Sequence, residues 1–204
     1  VGDARGDANV GDDGTTISNC VSTAAAFSSN YQAGGIAGWT NLGVFKNNVA
    51  YGAVTAPGGG AAGICSMIDN SGRASFIGNV SAVPYVKGDN NRTSGILGWK
   101  NGSGCAIVDD DQNLSSDATQ YFVGGNLTPA ADIKFDFDNN NEGINGIVTP
   151  AADLKTAATY TTAGFSADMW NLVDGQYPTL KTQAAMENAI YTAQAPSRYV
   201  VGTE

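Results

Sequence analysis

The chain has 204 residues, with 10 Lys and Arg against 19 Asp and Glu for a net charge of −9, and only 14% of its residues are charged. The acidic balance opposes phosphate backbones and anionic lipid, so neither nucleic acid nor direct membrane contact is expected, and no run approaches the ~18 apolar residues of a spanning helix. Histidine is absent, which removes Ser-His and Cys-His catalysis and histidine metal ligands, and with them most hydrolase designs, while carboxylate-only catalysis survives.

The 27 glycines and 42% apolar residues, with Ile, Val and Phe recurring throughout, describe a folded, β-rich chain rather than a disordered one. Val1 is followed by no charged-then-apolar leader, so the chain reads as a mature or excised fragment, part of a larger chain or surface assembly. Residues 1–14 are rich in Gly and Asp and are expected to form a flexible N-terminal segment. Their Arg5-Gly6-Asp7 tripeptide is read as a chance match to integrin-recognition sequences.

From residue 15 the chain repeats. Ile17-Ser18-Asn19-Cys20-Val21, Phe45-Lys46-Asn47-Asn48-Val49 and Phe76-Ile77-Gly78-Asn79-Val80 each precede Gly35-Ile36-Ala37-Gly38, Gly63-Ile64-Cys65-Ser66 and Gly95-Ile96-Leu97-Gly98. The period is 45 − 17 = 28 and then 76 − 45 = 31, the signature of stacked units whose neighbours complete one core. Alternation in each first segment predicts a short half-buried strand. Tyr51–Thr55 and Ser81–Val86 offer a second strand and the Gly-Ile-x-Gly segment a third, with loops at 57–60 and 87–91. The expected fold is therefore all-β: a parallel β-solenoid over residues 15–111, right-handed by the general crossover preference.

Aligned coils would stack Ile17, Phe45, Phe76 and Ile107 in one inward ladder, and Ile36, Ile64 and Ile96 in another. Asn19 and Asn47 share a column, and Cys20, Asn48 and Asn79 the next, where amides can bond along the stack or satisfy turns. Trp39 and Trp99 share an offset with Met67 near it; packing is the ordinary use of such residues, a sugar platform the alternative. Cys20, Cys65 and Cys105 fit no metal spacing and are expected as buried small residues. The sequons Asn79-Val80-Ser81 and Asn91-Arg92-Thr93 follow from the composition.

The Gly-Ile-x-Gly segments with Asn-rich strands on this period resemble the GLUG repeats of bacterial surface proteins, adhesins and some immunoglobulin A proteases. Ile stands for the usual Leu, and Gly63-Ile64-Cys65-Ser66 departs at its last place. Over residues 15–110 the resemblance implies a solenoid exported to a bacterial surface, and it carries over no catalytic residue.

Beyond Asp111 the composition shifts. Thr128-Pro129-Ala130-Ala131-Asp132-Ile133 recurs as Thr149-Pro150-Ala151-Ala152-Asp153-Leu154, each resembling a helix start. Tyr160, Phe165, Met169-Trp170 and Tyr177-Pro178-Thr179-Leu180 are similar to segments that close GLUG arrays. Residues 112–204 are thus expected as a C-terminal extension and cap over the open end of the stack, with some helix.

Asp109-Asp110-Asp111 is the one dense acidic cluster at a coil position, and a carboxylate site for polysaccharide processing is the alternative to a solvated turn. Asp136 to Gly143 alternates oxygen side chains as a calcium loop does, but a hairpin describes it equally and no metal or cofactor is expected. The function expected is a non-enzymatic adhesion, binding or spacer module at the bacterial surface or outside the cell, with a host or microbial glycan or matrix protein as partner. An ice-binding surface would want an outward Thr ladder, which the repeats lack.

Overall fold

The computed structural model describes residues 3–4, 15–89, 92–133 and 142–181. It is a parallel β-solenoid of about four turns with very little helix. Each of the first three coils passes through four sheets rather than the three strands expected. The first and longest contains β1 (Asp3–Ala4), β2 (Thr15–Ser18), β6 (Ala37–Lys46), β10 (Cys65–Ile77), β14 (Leu97–Lys100) and β15 (Ala106–Asp111). The second contains β3 (Val21–Ser22), β7 (Val49–Ala50), β11 (Val80–Ser81), β16 (Leu114–Ser116) and β19 (Ile147–Thr149). The third holds β4 (Ala26–Phe27), β8 (Val54–Ala56), β12 (Tyr85–Gly88), β17 (Gln120–Val123) and β18 (Asn126–Thr128), and the fourth β5 (Ala33–Gly34), β9 (Ala61–Ala62) and β13 (Thr93–Ser94).

The predicted strand at 17–21 is split by a corner. Asn19, Asn47, Gly78 and Gln112 occupy the left-handed region with φ of 51°, 52°, 62° and 53°, turning the chain from the first sheet into the second. Gly is at ease there, and Asn is the side chain that tolerates it best. The residue after each corner carries the ladder that the columns predict, extended by Asn113. The Nδ2 of Asn48 donates to Asn79 Oδ1 at 3.0 Å, and that of Asn79 to Asn113 Oδ1 at 2.9 Å. The same amides donate to the carbonyls of Ile17, Phe45 and Phe76 in the preceding coil at 2.8, 2.8 and 2.6 Å. Cys20 takes the place at the first coil, where its N–H donates to Asn48 Oδ1 at 3.0 Å.

The core follows the predicted ladders with one correction. Ile17, Phe45 and Phe76 are in register, and the rings of Phe45 and Phe76 stack at 5.0 Å with an interplanar angle of 8°. Ile36, Ile64 and Ile96 are buried in the same core, each such side chain contributing roughly 1.5–3 kcal/mol. Ile107 does not continue the first ladder: it opposes Ala74, a bulge follows, and Asp110 stands opposite Phe76. The one-residue bulge at Val108, after a longer loop at 101–105, moves the fourth unit out of the 31-residue spacing. The change from 28 to 31 has an equally local cause. Asp69–Gly72 replaces Asn41 between the paired positions Ile68↔Thr40 and Arg73↔Leu42, adding three residues on the outside of the first sheet.

Past Asp111, where the composition shifts, the sheets continue through β16, β17 and β19. The two Thr-Pro-Ala-Ala-Asp segments make single 3-10 turns at Ala130–Asp132 and Asp153–Lys155 instead of helix starts. Only the second leads into a helix, α1 (Ala157–Thr162). The bulky C-terminal residues do not cover the end of the stack. Leu154, Tyr160, Ala163, Phe165 and Trp170 pack on the outer side of the second sheet against Val49, Val80 and Leu114. Trp170 Nε1 donates to Asn19 Oδ1 at 3.0 Å and Asn47 Nδ2 to the carbonyl of Ala163 at 3.0 Å. At Gly78 an added Cβ would lie 2.2 Å from that same carbonyl. The segment is a lateral clamp across coils, closed by the hairpin of β20 (Trp170–Asn171) and β21 (Thr179–Leu180). Ile144, bridged to Leu97, lies against the last coil instead.

Candidate functional site

Among the described residues nothing covers the outer face of the third sheet, where Phe27, Tyr85 and Leu127 are exposed. Along β12, Tyr85 and Lys87 are exposed while Val86 and Gly88 are buried, as strand alternation requires. In register across the coils the outward row reads Phe27, Thr55, Lys87, Phe122 and Leu127. Phe27 is 73% exposed and Leu127 63%. Tyr85 stands opposite Gln120 on the same side, and its ring meets that of Phe122 edge to face at 6.3 Å and 85°. Thr55, Tyr85, Lys87, Gln120 and Phe122 line an open cleft of about 440 Å³. Lys87 has no ion pair among the described residues, and the five lining side chains include no carboxylate.

This face was not singled out by the repeats. The signal lies in aligning Val54-Thr55, Val86-Lys87 and Tyr121-Phe122, which puts one apolar residue inward and its neighbour outward in every coil.

The residues that sequence did single out lie elsewhere. Trp39, Met67 and Trp99 form one register column as expected, but Met67 is only 8% exposed and Trp99 6%. The Gln32 amide oxygen accepts from Trp99 Nε1 at 3.2 Å, Ser66 Oγ at 2.8 Å and the Gly60 N–H at 2.9 Å. The Arg92 guanidinium lies 4.1 Å over the Trp99 ring. These bonds and the cation-π contact hold Trp99 as packing rather than as a sugar platform.

Asp109, Asp110 and Asp111 lie on β15, which pairs only with β10 among the described residues. Their carboxylates accept from neighbours: Asp109 from Ser75 Oγ at 3.2 Å and Asp110 from Asn113 Nδ2 at 2.8 Å. Charges on an edge strand, one of them at an inward register position, are a recognised means of keeping edges from pairing with another chain. No Lys or Arg pairs with them among the described residues.

Most of the candidate calcium stretch, 136–141, lies outside the described residues, as does Arg5-Gly6-Asp7. Glu142 at its end pairs with Lys100 at 2.9 Å. Among the described residues no three His, Cys, Asp or Glu side chains are grouped to hold a metal ion. Cys65 and Cys105 are buried and Cys20 half-buried, all three as free thiols. Burial pushes the Cys65 thiol up to about 12, against a lowering by its bond to the Met67 backbone. No helix among the described residues is long and apolar enough to cross a membrane.

The fold thus defines a β-solenoid repeat protein. No protein-family model matches the chain, and no curated protein does. Among solved structures it is similar to a proposed immunoglobulin A1 protease from Bacteroides ovatus, at 17% identity and a TM-score of 0.59. The alignment covers 88% of this chain and 62% of that one, so the chain spans less than two thirds of that protein's length. At this identity the likeness is one of fold.

Proposed function

We propose that the chain is a non-enzymatic binding module of an exported bacterial surface protein, its solenoid serving also as a spacer that presents the outer face of the third sheet. The observation that carries the reading is that face: an uncovered row of aromatic and polar side chains on a rigid stack, where exposed patches of this kind mark interaction sites. The GLUG-like repeats support the surface location, since the proteins they resemble are surface adhesins and proteases. The aspartates serve as edge protection on β15, and without histidine this chain holds no Ser-His or Cys-His site.

The test is an array of host glycans, microbial polysaccharides, matrix proteins and immunoglobulin A1 probed with the purified chain, scoring both retained protein and released product. Retention without product is expected. Product release on a polysaccharide or on immunoglobulin A1 that disappears in Asp109→Asn or Asp110→Asn would replace this reading with the carboxylate-enzyme one. Neither retention nor product would leave the spacer role alone.

A further inference from the structure

We infer that the outer face of the third sheet binds a linear polysaccharide carrying uronic acids, with Lys87 meeting the carboxylate and Tyr85 and Phe122 the apolar sugar faces. This rests on the binding-module reading and names its ligand.

Three observations point there. The row Phe27, Thr55, Lys87, Phe122 crosses three strand pairings, about 14 Å at ~4.8 Å each. That repeat is close to the length of one sugar, so a chain lying across the coils meets an equivalent position at each step. A terminal acidic sugar would use only one of them. Second, the row is not continuously apolar: Thr55 and Lys87 separate Phe27 from Phe122. A protein partner would want a contiguous apolar centre, whereas a pyranose needs an aromatic face beside hydroxyl, amide and ammonium partners. Thr55, Tyr85, Gln120 and Lys87 supply these in the one cleft.

Third, charge selects among sugars. The chain as a whole carries −9, which repels a polyanion at long range. Yet the cleft is lined by no carboxylate and holds a lysine without an ion pair among the described residues. An ammonium beside Tyr85 and Phe122 is matched by a carboxylate set beside an apolar ring face, which is what a uronic acid presents.

The test compares polygalacturonate with its methyl-esterified form, which has the same backbone and no charge, by affinity electrophoresis of the full chain. Lys87 is exposed, so Lys87→Met folds as the parent does, with circular dichroism as the check. The parent is expected to prefer the free acid by about three- to five-fold, the upper part of the range of a solvent-exposed ion pair. The preference should shrink in high salt. Lys87→Met should bind both polymers alike, and Phe122→Ala and Tyr85→Ala should lose both. Equal binding of the two polymers by the parent, or a preference that survives in Lys87→Met, overturns the inference. So does retention confined to a sialylated glycan or a protein that polygalacturonate does not displace; the binding-module reading then stands. No retention on any spot defeats both.

Discussion

At the scale of single residues, the asparagine column holds the corners of the stack. Asn79 satisfies four polar groups at once: its Oδ1 accepts the Asn48 N–H at 3.2 Å and Nδ2 at 3.0 Å, and its Nδ2 donates to Phe45 O and Asn113 Oδ1. Asn79→Ala leaves the buried Asn48 N–H without its acceptor, at roughly 1–3 kcal/mol. A loss of about 1–3 kcal/mol in urea unfolding is expected; a loss under ~1 kcal/mol would show that water replaces the amide. The column was visible in sequence because each ladder residue follows a corner and precedes Val or Leu. Cys20 breaks it where the ladder begins, and a thiol suffices there because its Sγ donates only to the Ser18 carbonyl at 3.4 Å. Cys65 and Cys105 are buried, out of reach of a reagent in the folded chain, so both should resist a thiol reagent until the chain unfolds. Half-buried Cys20 should react first, and peptide mapping of the labelled protein checks the order.

At the scale of elements, two segments do different work from what their sequence suggests. Asp109-Asp110-Asp111 looks like a site because carboxylates cluster, but their strand is an edge. Replacing Asp109 and Asp111 by Val should convert β15 into an apolar edge and drive self-association, measured by light scattering. Conversion to Asn should do so far less, since the charge is lost but no apolar strand is made. If the Val variant stays monomeric, the edge is protected by something other than these charges. The bulky C-terminal segment was legible as something that must cover apolar surface, yet not which surface. The outward valines of the second sheet alternate with inward Ala50 and Ser81 in two-residue strands, too short for a sequence pattern to show that both faces are covered. Trp170 is fully buried against that sheet, so Trp170→Ala should cost about 3–5 kcal/mol. Limited proteolysis should then release the clamp while the coils remain resistant; collapse of the coils along with it would mean the clamp is integral to the stack.

At the scale of the whole molecule, the coil repeat and its inward ladders were readable because stacking forces equivalent residues into register. The fourth coil was not, because one bulge and one longer loop are invisible to a period. Its last inward place in the third sheet is taken by Tyr121, opposite Val86, which fills the core at the end of the stack where an added Cβ on Gly95 would lie 3.0 Å from its hydroxyl. Burial raises the Tyr121 phenol from 10.0 to about 12, partly offset by the neighbouring Ser115 and Thr119 hydroxyls, although its own hydroxyl has no hydrogen-bond partner among the described residues. Tyr51 and Tyr160 are raised in the same direction, again first by burial. A phenol whose pKa is higher folded than unfolded holds its proton longer in the folded state. Its contribution to stability is therefore whole below pH ~10 and is lost as pH rises through about 12, at most about 3 kcal/mol for Tyr121. The urea midpoint should be flat up to about pH 9 and then fall steeply, with tyrosinate absorbance appearing as the chain unfolds. Tyr121→Phe removes the ionisable group while keeping the ring in the core, so its midpoint should fall less over the same range. If parent and variant fall together, the alkaline transition belongs to the clamp, where Tyr51 and Tyr160 sit, or to the Cys65 thiol, which burial raises in the coil core, and Cys65→Ala separates the two.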